Sequence, residues 1–273
     1  MISAKAVVIF AAILVAVYLA VLVLVTINQR ALLYFPDKKR TNPATLSVAR
    51  ISEHIIDTPD GAKVICWYLQ AASGKPTLLY FHGNGQGLLN RTERFVRYSN
   101  VGIGLFMVSY RGYSGGTGVP TEANNIADAD LAWNTLVKLG VDPKDIVLYG
   151  ESLGSGVAIQ TAVKHPPRAL VLEAPYSSIV DVASWRFPIL PVRQLMRDRY
   201  DSISYIGQVR APLLILHGER DGIVPIRFGR KLFAAANEPK RFIAYPKAGH
   251  MDCYLYGCFD AIVDFVQAPP KTG

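Results

Sequence analysis

Chemistry could concentrate first, in this 273-residue chain, at a serine between two glycines. Gly150-Glu151-Ser152-Leu153-Gly154 follows the β-favouring run Ile146-Val147-Leu148-Tyr149 and precedes a helix-compatible run from Val157 to Val163. Such a serine at a strand-to-helix switch has the pattern of a nucleophile elbow, a turn sharp enough that bulk at either glycine would clash. The turn lifts the Ser152 hydroxyl clear of the sheet and aims a helix N-terminus at a developing oxyanion.

A serine hydroxyl needs a base, and the base needs a carboxylate to orient it. Of five histidines, His250 is best placed, in Pro246-Lys247-Ala248-Gly249-His250, between the last predicted strand and the last helix. Loops at the C-terminal ends of parallel strands gather on one sheet edge, the edge where Ser152 should lie. His54 falls in an edge hairpin and His165 precedes Pro166-Pro167 at a helix end, so both read as structural. His82 opens a glycine-rich loop and is assigned to shaping it, while His217 sits in a strand-end turn from which it could support the site. Asp221, before Gly222 in another strand-end loop, is the preferred carboxylate, with Glu173 as the alternative; Asp252 is too close to His250 in sequence. The order Ser152, Asp221, His250 is that expected of hydrolases built around an elbow.

Two amide donors must face the nucleophile to hold an oxyanion. Leu153 supplies one, and the second is expected from His82-Gly83-Asn84-Gly85-Gln86-Gly87, where Asn84 is preferred over Gly83. That loop lacks both G-x-x-x-x-G-K-[ST] and G-x-G-x-x-G, so it does not read as a phosphate cradle. Cys66, Cys253 and Cys258 show no C-x-x-C or other metal spacing, and no metal or organic cofactor is expected. A Cys253–Cys258 bond is conceivable in an oxidising compartment, but free buried thiols are the expectation.

The elements that must position these residues follow from pattern. Residues 51–56 and 62–69 form an antiparallel hairpin joined by Asp57-Thr58-Pro59-Asp60-Gly61. Strands are then predicted at 77–81, 104–109, 146–150, 169–173, 212–216 and 241–245. Helices are predicted at 88–98, 122–139, 154–164, 226–236 and 254–267. This alternation predicts an α/β fold with a mostly parallel sheet and crossover helices. In 122–139, Ile126, Ala129, Leu131, Leu136 and Val137 recur at helical spacing and read as core. Residues 176–209 interrupt the alternation with dense apolar side chains and prolines that forbid one continuous helix. They are expected to form a short cap, against the alternative of an ordinary long connection, and Trp185, Phe187 and Leu190 are its candidate substrate-binding residues.

Composition bounds the setting. Hydrophobic residues make up 51% of the chain, and residues 6–25 carry no charge, proline or glycine. As a helix they would span the ~30 Å hydrocarbon core. A cleaved signal peptide would have a shorter apolar region and a small-x-small site, which is not found. Residues 1–30 are therefore expected to be a retained single-pass anchor, 31–50 a juxtamembrane linker, and 51–273 the catalytic domain. Arg30, Lys38, Lys39 and Arg40 follow the span and Lys5 alone precedes it, so the domain is expected to face the cytoplasm. The net charge of +8 suits contact with anionic headgroups. No nucleic-acid partner is expected, because no binding motif or basic–aromatic array occurs.

Five separate pieces resemble the α/β-hydrolase superfamily over about residues 50–268. They are Leu78-Leu79-Tyr80-Phe81 with His82-Gly83-Asn84-Gly85, Tyr110-Arg111-Gly112-Tyr113-Ser114, the elbow, His217-Gly218-Glu219-Arg220-Asp221, and Gly249-His250. The N-terminal span, Tyr34-Phe35-Pro36 and the basic cap resemble the membrane-anchored, abhydrolase-domain branch. The resemblance implies a serine hydrolase acting on esters, thioesters or amides. With the apolar cap beside a bilayer, the expected substrate is a small-molecule or lipid ester, or an acylated protein. A serine peptidase on the same fold is the nearest alternative, and a non-catalytic membrane scaffold is the alternative of another class. Haloalkane dehalogenase chemistry is disfavoured because it needs aspartate where this elbow has serine.

Overall fold

The computed structural model describes residues 3–46 and 50–270. The chain opens with α1 (Ala4–Leu33), whose first turn is capped by the Ser3 side chain accepting from the Ala6 amide. This helix is long and apolar enough to cross a membrane, and none of its side chains is buried. Partial burial recurs in it at Leu22, Val25, Thr26, Gln29, Arg30 and Leu33, a three-and-four spacing that marks one face. The last turns of α1 therefore lie against the rest of the molecule.

After α1 come β1 (Phe35–Pro36), β2 (Ile51–Asp57), β3 (Lys63–Leu69), β4 (Thr77–Phe81) and β5 (Gly85–Gln86). Then follow α2 (Thr92–Asn100), β6 (Gly104–Val108), α3 (Glu122–Lys138), β7 (Ile146–Glu151), α4 (Leu153–Lys164) and β8 (Ala169–Glu173). Three short helices, α5 (Ile179–Arg186), α6 (Val192–Leu195) and α7 (Ser202–Ile206), occupy the segment expected to be a cap. The chain closes with β9 (Leu213–Gly218), α8 (Ile226–Ala235), β10 (Lys240–Tyr245) and α9 (Cys258–Gln267).

Eight of these strands form the main sheet, in the order β2-β3-β6-β4-β7-β8-β9-β10. β2 pairs antiparallel with β3 and β3 antiparallel with β6, and every pairing from β6 to β10 is parallel. This is the expected α/β architecture with its antiparallel hairpin at one edge. The central strands are buried on both faces, which is why they read as unbroken apolar runs. Successive residues still divide between two cores. Leu79, Phe81 and Leu148 pack with α3 and α4, whereas Leu78, Tyr80, Val147 and Tyr149 pack with Phe95, Tyr98 and the α9 residue Ile262.

Helix α4 approaches β4 closely enough that a Cβ on Gly154 would stand 2.0 Å from the Phe81 carbonyl oxygen. Backbone cannot yield as a side chain can. Gly154→Ala is expected to cost about 3 kcal/mol and lower the melting midpoint by roughly 6–12 °C. An unchanged midpoint in thermal unfolding would contradict this contact.

Local departures from expectation have simple causes. The predicted strand at 212–216 starts after Pro212, which has no ladder donor, and runs on to Gly218. The predicted helix at 254–267 is a 3₁₀ turn over Cys253–Tyr256 and then α9, divided by Gly257 at φ 84°. Part of 31–50 is tied down where a linker was expected. Tyr34 is buried, its hydroxyl lying 3.2 Å from Asp198 and 3.0 Å from the Tyr200 hydroxyl. Just beyond it, β1 pairs in parallel with β5, Phe35 opposite Gly85.

Candidate active site

Ser152 sits at the turn between β7 and α4 with φ 49° and ψ −114°, a conformation a non-glycine residue adopts only under constraint. Its hydroxyl donates to His250 Nε2 at 2.9 Å, and His250 Nδ1–H donates to Asp221 Oδ2 at 2.7 Å. The other Asp221 oxygen accepts the Ile223 and Val224 amides at 2.9 and 2.8 Å, so the loop after β9 fixes the carboxylate. His217 Nε2 lies 3.4 Å from Asp221 Oδ2 and donates to the Val224 carbonyl at 2.8 Å. Burial disfavours a charged Asp221, but the hydrogen bonds from His217, His250 and the Val224 amide outweigh it and hold the carboxyl well below the usual range. Glu173, the alternative orienter, is engaged elsewhere: it accepts from Tyr149 at 2.6 Å, Arg94 at 3.1 Å and Cys253 at 3.0 Å.

The loop after β4 passes beside the serine. A Cβ on Gly83 would lie 3.6 Å from Ser152 Cβ and 2.9 Å from a Glu151 oxygen. The Gly83 amide is turned toward Glu151, at 3.3 Å, which removes it as an oxyanion donor. Asn84 is pinned on other sides: its carbonyl accepts the Phe35 amide at 2.9 Å and the Tyr113 hydroxyl at 2.6 Å, and its side-chain amide donates to the Leu33 carbonyl at 2.9 Å. His82 is fully buried beneath the loop. Burial, with Arg91 nearby, pushes its imidazole down to about 3, so it stays neutral and bonds the Gly83 carbonyl at 2.6 Å. The Leu153 amide stands first in α4, immediately after the serine.

Comparison with known proteins adds the lineage. No family model matches the chain. It is 38% identical over 252 residues to the uncharacterised protein Rv2307c of Mycobacterium tuberculosis, covering 90% of both chains. It is 30% identical over 203 residues to human alpha/beta hydrolase domain-containing protein 17B, covering 73% of this chain and 69% of that one. The chain belongs to the α/β-hydrolase family. Among solved structures, the Pyrococcus furiosus esterase Pf2001 superposes with a TM-score of 0.67 at 17% identity, over 86% of this chain and 97% of that one, a likeness of fold.

Beneath the elbow, this α/β-hydrolase carries a charge network that sequence reasoning missed. Glu151, the residue before Ser152, pairs with Arg91 at 2.9 Å and Arg94 at 3.2 Å and accepts from Tyr80. Arg94 also reaches Glu173 and Tyr254 and lies 4.3 Å over the Tyr254 ring. Burial alone would raise the Glu151 carboxyl, yet the two arginines and Tyr80 hold it far below the usual range. The sequence held only a faint hint, Arg91 and Arg94 three apart within the predicted helix 88–98.

The candidate substrate residues lie on an outer part of the hydrolase. Trp185 is 38% exposed and meets Phe228 edge-on at 6.5 Å, with the Arg227 guanidinium 4.9 Å over its ring. Phe187 is exposed and Leu190 half-buried. A surface cleft of about 490 Å³ lined by Arg50, His54 and Tyr68 contains none of Ser152, His250 and Asp221. Cys253 and Cys258 are buried free thiols, their sulfurs in hydrogen-bond contact at 2.8 Å.

Proposed function

We propose that this α/β-hydrolase is a membrane-anchored serine hydrolase that cleaves an acyl ester or thioester through an acyl-enzyme. The observation that carries the reading is the continuous hydrogen-bond chain from Asp221 through His250 to a serine held in a strained elbow. Ser152 Oγ attacks the acyl carbonyl carbon while His250 Nε2 takes its proton, and Asp221 stabilises the imidazolium. The Leu153 and Asn84 amides hold the oxyanion. As the tetrahedral intermediate collapses, His250 returns the proton to the leaving oxygen or sulfur. Water, activated by the same imidazole, then releases the acyl group and restores Ser152.

In this proposal α1 is the single membrane anchor, with the hydrolase domain on the cytoplasmic side and residues 176–209 as its cap. The long apolar α1 and the basic residues after it support that arrangement. Exposed apolar side chains beside the site, Ile223 near Asp221 and Met251 next to His250, favour an acyl substrate of lipid character. Trp185, Phe187 and Leu190 would guide its chain.

A fluorescent fluorophosphonate tests the reading on the full chain in detergent. Wild type is expected to label strongly, Ser152→Ala not at all, and His250→Ala at least a hundredfold more slowly. Labelling of Ser152→Ala, or no labelling of a folded wild type with or without lipid vesicles, would refute it.

A further inference from the structure

The cap and α1 touch far up the helix. The Tyr18 hydroxyl donates to the Ile189 carbonyl at 2.7 Å. Lower down, Gln29 bonds the Leu195 carbonyl at 3.3 Å and the Arg197 amide at 2.7 Å, and Arg30 pairs with Asp198 at 3.0 Å. The cap thus climbs beside α1 from Arg30 to Tyr18, on the face where partial burial recurs.

That height conflicts with a bilayer lying wholly beyond the cap. From Ala4 to Tyr18 the helix rises about 21 Å at about 1.5 Å per residue, short of the roughly 30 Å hydrocarbon core. Tilt would shorten the rise further. Any bilayer that α1 crosses must extend past Tyr18 toward Val25, and Ile189 stands beside Tyr18. We infer that the cap tip, residues 185–190, is seated in the headgroup and upper acyl region of the bilayer that α1 spans, one containing anionic lipid. The inference rests on the reading of α1 as a membrane-spanning helix.

The tip suits that setting. Ile189 is 77% exposed and Phe187 51%, beside the exposed ring of Trp185. Aromatic side chains of this kind are favoured at the membrane interface. Backbone polarity is largely internal. The Phe187, Leu190 and Val192 amides bond the Ala183, Phe187 and Leu190 carbonyls, the Tyr18 hydroxyl donates to the Ile189 carbonyl, and Pro188 and Pro191 have no amide hydrogen to satisfy. Flanking the tip, exposed Arg186, Arg197 and Arg199 make no ion pair among the described residues, whereas Arg193 pairs with Asp181 at 2.9 Å and Asp198 is held by Arg30. Exposed arginines around an apolar tip complement anionic headgroups. A site seated this way would receive an acyl chain from the bilayer without passing it through water.

Trp185 makes the test direct, because Trp67 and Trp133 are buried. Full-length protein is placed in nanodiscs, one copy each, of phosphatidylcholine and phosphatidylglycerol at about three to one, with bromines on the upper or middle acyl carbons. Upper-chain bromines are expected to quench the Trp185 component by at least half, an effect absent in Trp185→Phe. Ile189→Trp in the Trp185→Phe background should be quenched likewise. Ile13→Trp in that background reports α1 and should be quenched by mid-chain bromines. Quenching at Ile13→Trp with none at the cap positions would overturn the seating while leaving the anchor in place, as expected if the tip instead docks on protein. No quenching at any position would overturn the anchor and the seating together. Removing phosphatidylglycerol should at least halve the cap quenching, and equal quenching in neutral lipid would overturn the anionic part.

Discussion

Asp221→Asn is expected to lower kcat by about ten-thousand-fold while the fold survives. The amide oxygen can still accept the Ile223 and Val224 amides, which keeps the loop in place. Its NH₂ group then faces His250 Nδ1 and makes that nitrogen an acceptor. The imidazole proton moves to Nε2, which can no longer receive the Ser152 proton. Hydrolysis of a p-nitrophenyl ester and the melting midpoint, measured on the same preparations, separate this effect from misfolding. A loss of less than tenfold would mean that another carboxylate orients His250. Glu173, already bound by Arg94, Tyr149 and Cys253, is poorly placed to do so.

The second large effect is on stability. Arg94→Met is expected to cost about 3–5 kcal/mol, because it leaves Glu173 without its cation and Glu151 with one of two. The melting midpoint should fall by roughly 10 °C or more. Adding Glu173→Gln should recover part of the loss, since removing both charges is less costly than stranding one. An Arg94→Met midpoint within about 2 °C of the parent, or a double variant less stable than the single one, would contradict this account. The damage should reach catalysis as well. Glu151 precedes Ser152 and holds the Gly83 amide, so a loosened network disturbs both the elbow and the facing loop.

The central sheet and the residues now joined by hydrogen bonds were legible because each carries a local signal. Ser152, Asp221 and His250 each follow an apolar strand at a turn containing glycine, and parallel strands deliver such turns to one edge. The charge network was not legible, because arginine and glutamate in a helix or at a strand end ordinarily read as surface. Their burial depends on partners 60 residues apart or more, Arg91 with Glu151 and Arg94 with Glu173. The strand Phe35–Pro36 was equally hidden, since two residues have no periodicity and one is proline. Nor could pattern reveal that the segment around Ile189 climbs beside α1, because the contact of Tyr18 with Ile189 spans 171 residues and uses a backbone carbonyl.

The pairing of β1 with β5 bears on how such a protein can be cut and recombined. The chain leaving α1 borders the loop that carries Asn84, and Tyr34, Phe35 and Leu33 supply bonds that nothing downstream replaces. A version trimmed to the sheet would lose the Leu33 and Phe35 bonds that hold the Asn84 loop, and any turnover measured on it would understate the parent. The boundary that preserves chemistry falls before Gln29, inside the helix. Exchange of α1 for a foreign apolar helix is therefore constrained from Tyr18 to Leu33, where it meets the rest of the molecule, while the turns before Tyr18 remain open to drift.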